Sequence, residues 1–100
     1  MSLTLIQLPR GDRLARIHRR RGADPKEGLA KYGKATFADP VNNKFPIDIL
    51  GRIKAAWAYI HRPSNAEQYS NGELRTIKVR IRRAAQARQV ALPDRMSLWS

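Results

Sequence analysis

Two histidines, His18 and His61, are the only side chains in this sequence whose ordinary titration falls near neutral pH. His18 lies inside the run DRLARIHRRR, and His61 stands beside Arg62 and Pro63. Neither has a carboxylate or hydroxyl at the spacing of a triad or a general-base pair. His61 is expected to complement a helix C-terminus instead. The chain has no cysteine, so thiolate nucleophiles, disulfides and cysteine-based zinc sites are excluded, and two histidines do not make a structural zinc site. Asp39, Asn42, Asn43 and Asp48 gather oxygen ligands, but without the central glycine and closing glutamate of a calcium-binding loop. They read as turn chemistry. The glycines are scattered singly, so no phosphate-cradling loop is formed. The expectation is a protein that is not an enzyme and takes no metal or cofactor.

Arginine is the residue type present in quantity. Twenty Lys+Arg stand against eight Asp+Glu, a formal net charge of +12. One cluster is Arg10, Arg13, Arg16, Arg19, Arg20 and Arg21, opposed only by Asp12; the second is Arg75, Lys78, Arg80, Arg82, Arg83 and Arg88. The planar guanidinium fork suits phosphate better than the point charge of lysine. A single basic face is as readily explained by keeping a small protein in solution as by a partner. Two clusters in so short a chain favour a polyanionic partner. Single-strand binders also stack bases on exposed aromatics, and Tyr59 and Tyr69 are the candidates for that role.

These residues must be positioned by a small number of elements. Asp24-Pro25 supplies a helix cap and a first-turn proline for the short helix PKEGLAKY, weakened at Gly28 and stopped at Gly33. ATFADPVNNKFPID reads as an irregular β-hairpin around Pro40 and Asn42-Asn43. Asp48 is the expected cap of a helix running to about His61-Arg62. Its apolar residues Ile49, Leu50, Ile53, Ala56, Trp57 and Ile60 share an arc of about 120°. PSNAEQY is a loop. Ser70 and Glu73 form a capping box for a second helix from Asn71 to about Gln89, with Leu74, Ile77, Ile81, Ala84 and Ala85 as its stripe. Arg75, Lys78 and Arg82 form a basic ridge beside that stripe. Facing alanines, Ala56 against Ala84-Ala85, permit close antiparallel packing.

The order of features from Tyr32 to about Val90 resembles a family of small uncharacterised bacterial domains, found alone and as appended segments of phage and prophage-type proteins. The resemblance is carried by YGKATFADPVNNKFPID, GRIKAAWAYI, RPSNAEQYS and ELRTIKVRIRRAAQ. The sequence departs from the family pattern at Ile49-Leu50-Gly51, where Thr-Pro and polar residues open the helix, and in the arginine-rich arm before Gly22. The resemblance implies an extended turn followed by two helices, and no activity.

The fold expected is therefore mainly α, a small α+β unit: a short helix, an irregular β-hairpin and two antiparallel helices. Three parts follow: a disordered basic arm over 1–23, a compact domain over 24–91 and a tail over 92–100. In the arm, Leu14 and Ile17 alone do not offset the cost of ordering an isolated helical turn. The functional expectation is a nucleic-acid-binding accessory protein that contacts DNA or RNA phosphates through Arg13, Arg16, Arg19, Arg20, Arg21, Arg75, Lys78, Arg82 and Arg83. The alternative is a structural or adaptor protein of a larger, phage-related assembly, joined through the apolar residues of 1–9 and 96–100. No membrane partner is expected, since no apolar stretch approaches bilayer length and the arm lacks a bulky apolar face. The opening MSLTLIQLPRGDR has neither a leading basic patch nor a long apolar stretch, so a cytoplasmic setting is expected.

Overall fold

The computed structural model describes residues 14–93. Its first helix, α1 (Pro25–Tyr32), begins as the cap chemistry dictates. The Asp24 carboxylate accepts the Lys26 N–H at 3.0 Å, and Gly33 ends the helix at φ +66°. Gly28 has a positive role that helix propensity hides. It is buried, and a Cβ there would lie 2.8 Å from the Asn43 Cβ and nearer still to the Asn43 carbonyl. Glycine lets α1 touch the following hairpin.

That hairpin pairs β1 (Phe37–Asp39) with β2 (Lys44–Pro46) in antiparallel register, Phe37 opposite Pro46 and Asp39 opposite Lys44. Asn43 and Phe45 both take left-handed backbone, φ +54° and +60°. Asparagine accommodates this readily; for a bulky aromatic it is an outlier that the surroundings must hold in place.

Helix α2 (Leu50–Ile60), the short α3 (Pro63–Ala66) and the long α4 (Asn71–Ala87) complete the fold. The expected Asp48 cap does not form. Ile49 occupies the cap position without a side-chain bond, while Asp48 pairs with Arg52 one turn on, at 2.9 Å. The Asp48 carbonyl accepts from Arg88. The chain just before α2 thus meets the chain just after α4, which makes the two helices antiparallel. The Ser70–Glu73 capping box is complete: the Ser70 hydroxyl accepts the Glu73 N–H at 3.1 Å and the Glu73 carboxylate accepts the Ser70 N–H at 2.8 Å. Part of the expected loop PSNAEQY is the helical turn α3, because Pro63 stands where a missing N–H is no loss.

The core joins Ile53, Ala56, Trp57 and Ile60 of α2 to Ile77, Ile81 and Ala85 of α4, with Ala38 and Ile47 from the hairpin side. Trp57 is 1% exposed, and its indole N–H donates to the Pro93 carbonyl at 2.8 Å. Leu92 packs against the same cluster. The fold therefore continues past the boundary expected at residue 91.

The larger correction concerns the arm. Residues 14–23 were expected to stand outside the domain; instead Ile17 is 7% exposed and part of the core. The His18 and Arg20 N–H groups donate to the Glu73 carboxylate (2.7 Å) and the Asn42 side-chain carbonyl (2.8 Å). The His18 and Ala15 carbonyls accept from Asn42 and Thr76, at 3.1 and 2.7 Å. An isolated helical turn is the wrong reference, since residues 14–20 adopt neither helix nor strand. Side chains of the body satisfy the backbone polar groups directly, which removes the usual penalty of burying them. Arg13, residues 1–9 and residues 96–100, all named in the sequence expectations, lie outside the described residues.

Candidate nucleic-acid interface

The carboxylates show how the surface charge arises. Asp39 is fully buried between the hairpin and the loop before α4. It accepts the Val41 and Asn42 N–H groups at 3.1 and 3.0 Å, the Asn42 side-chain amide at 2.9 Å and the Tyr69 hydroxyl at 2.6 Å. All four donors are neutral N–H or O–H groups. Burial, followed by the Asp39 hydrogen bond and charge, pushes the Tyr69 hydroxyl well above the ordinary phenol range, and it stays a donor. Glu73 is also buried. The Ser70 and His18 N–H groups hold its carboxyl below the usual glutamate range, outweighing desolvation. His18 Nδ1 stands 3.3 Å from the same carboxylate. A carboxylate partner for His18, which sequence spacing did not reveal, is thus supplied across 55 residues.

The arginines expected to meet phosphate divide by environment. Arg16, Arg19 and Arg21 are exposed. Arg19, Arg20, Arg21, His18 and Gln68 border one shallow hollow beside Glu73. Arg20 is partly committed: its guanidinium lies 5.2 Å from the Tyr69 ring centroid and donates to the Tyr69 hydroxyl at 3.0 Å. On α4, Arg75, Lys78 and Arg82 border another hollow with Asn71, Leu74 and Val79, which is the expected ridge. Arg82 also covers the Trp57 ring at 5.1 Å. Arg83 is exposed on the other flank, near Phe37 and Ala84.

Tyr69 is not a stacking residue. It is 7% exposed, and its ring and hydroxyl are used by Phe45, Arg20 and Asp39. Tyr59 is available, at 44% exposure, with the Arg62 guanidinium 4.7 Å from its ring centroid. It lines a groove of about 380 Å³ between α1, β2 and α2. Across that groove Tyr32 carries Arg52 at 4.9 Å and Lys31 at 5.4 Å. Lys31, Tyr32, Lys44, Arg52 and Arg62 were not singled out from the sequence. Arg62 lies past the end of α2, at the cap of α3, so its place over Tyr59 depends on the turn between the two helices.

Among the described residues no group of three or more His, Cys, Asp or Glu side chains is arranged to hold a metal ion. No helix there is long and apolar enough to cross a membrane. Compared with known proteins, residues 13–95 match the model of a family of unknown function, DUF6582. No curated protein and no solved structure matches the chain.

Proposed function

We propose, on the premise that the chain belongs to the DUF6582 family of unknown function and so takes no activity from its relatives, that it is a basic accessory protein binding nucleic acid through phosphate. The supporting observation is the asymmetry between acids and bases. Asp39 and Glu73 are buried and Asp48 is paired with Arg52, which leaves Asp24, Glu27 and Glu67 as the exposed carboxylates among the described residues, while Arg16, Arg19, Arg21, Arg75, Arg82 and Arg83 are exposed. Among the described residues, exposed arginines thus outnumber exposed carboxylates. No base-reading motif accompanies these arginines, so contact is with the backbone and without sequence preference. A non-enzymatic role in the cytoplasm belongs to the same reading.

The second reading is a structural or adaptor role in a larger, phage-type bacterial assembly. It is favoured by one observation: Leu29, 51% exposed, borders a shallow apolar hollow with Phe37, Pro40, Ile47 and Ala84. Fluorescence anisotropy with mixed-sequence DNA and RNA over a salt series separates the two. If about six phosphates are neutralised, log affinity falls with log salt at a slope near −5. Replacing Arg75 and Lys78 together, or Arg19 and Arg21 together, by alanine flattens the slope by about 2 without altering sequence preference. Absence of binding to either polymer at about 0.1 M salt overturns the nucleic-acid reading.

A further inference from the structure

The groove between α1, β2 and α2 is lined by aromatic and cationic side chains together. We propose that it receives a base of single-stranded nucleic acid, stacked against Tyr59, with the flanking phosphates held by Lys44, Arg20 and the neighbouring Arg19 and Arg21. This rests on the phosphate-binding reading above and adds the class of strand.

Three observations carry it. The volume, about 380 Å³, lies at the lower end of the range for sites that enclose a small ligand, about 300–1,000 Å³. It has room for a nucleoside unit and none for a double helix, so a base must be splayed out of its stack to enter. The lining is aromatic and cationic together: Tyr32, Phe45 and Tyr59 among Arg20, Lys44 and Arg52, with Glu27 the only carboxylate bordering it among the described residues. Arg52, which borders the groove, lies over Tyr32 at 4.9 Å, and bases stack on guanidinium groups as well as on rings. Finally, Arg20 borders both this groove and the hollow edged by Arg19 and Arg21. The arm's cations therefore continue from the base site along one track, as a strand's phosphates require. An acidic peptide would use the cations and leave Tyr59 unused.

Phe45 fits this picture. Its left-handed backbone, φ +60°, places a bulky residue in a costly conformation at the groove wall, where its ring also meets Tyr69 at 6.2 Å. The wall is thereby tied to the Asp39–Tyr69–Arg20 network and is fixed before any strand arrives.

The test is anisotropy with a labelled thymidine strand of about eight nucleotides and with the corresponding duplex. Tyr59→Ala should weaken single-strand binding by roughly 5- to 150-fold, the range for loss of one stacked base, and leave duplex affinity within about two-fold. Tyr59→Phe, which keeps the ring, should restore single-strand affinity. An abasic strand of equal length makes the same measurement on the unaltered protein and should also bind at least about 5-fold more weakly. Equal loss on strand and duplex, no loss on either, or equal affinity for abasic and normal strands overturns the base site while the phosphate reading stands. Binding to neither polymer overturns both. Binding to an acidic peptide in preference to the strand replaces the proposal with a protein ligand.

Discussion

Asp39 and Gly28 are each misjudged by residue type alone. An aspartate in a turn normally faces water; here it is the acceptor around which Val41, Asn42 and Tyr69 are arranged. A glycine within a helix normally costs about 1 kcal/mol relative to alanine; here it permits a contact with Asn43 that any side chain would block. These readings lead to opposite results for Gly28→Ala. Helix propensity predicts stabilisation, whereas the clash with Asn43 backbone predicts a loss of about 1–3 kcal/mol. Urea unfolding at neutral pH measures the sign. A stabilised variant would show that α1 and the hairpin do not approach as closely as the structure has them.

At the scale of elements, the segment 14–21 behaves as an irregular strap whose backbone is bonded by side chains of the turn and α4. The amides of His18 and Arg20 should therefore exchange with solvent more slowly than those of Arg19 and Arg21, as hydrogen-exchange NMR would record. Uniformly fast exchange would return the segment to a free arm. Acid should loosen it through Glu73. Because the folded state holds this carboxyl below its unfolded range, its contribution is fully present above the unfolded value, about 4.3. It is lost as pH falls below that through the folded value. The urea midpoint of the unaltered protein should drop over that interval, and that of Glu73→Gln should drop less. Equal drops would mean that the Glu73 bonds contribute nothing differential.

For the molecule as a whole, a net charge of +12 on 100 residues, with two carboxylates buried, is a source of self-repulsion. Raising sodium chloride from about 0.01 to about 0.1 M shortens the screening length from about 30 to about 10 Å. The thermal midpoint should rise accordingly, and rise further with a polyanion that fits the basic surface. A midpoint that falls with salt would indicate that internal ion pairs outweigh the repulsion.

Local chemistry in the sequence was sufficient for α1 with its Asp24 cap, the hairpin turn, the Ser70–Glu73 capping box and the burial of Trp57. Each depends on residues a few positions apart or on a single helical stripe. The two arginine clusters were equally legible, because charge is additive along the chain. Tertiary structure decided the rest. It drew Asp48 away from its cap to Arg52, supplied Glu73 to His18, buried Tyr69 while leaving Tyr59 exposed, and gave the segment around Ile17 a place in the core. It also assembled Tyr32, Phe45 and Tyr59 around one groove. The physical reason is shared by all of these. Whether a polar or aromatic side chain is spent inside or left for a partner depends on which distant donors, acceptors and apolar surfaces reach it, and those arrive only when the helices and the hairpin pack.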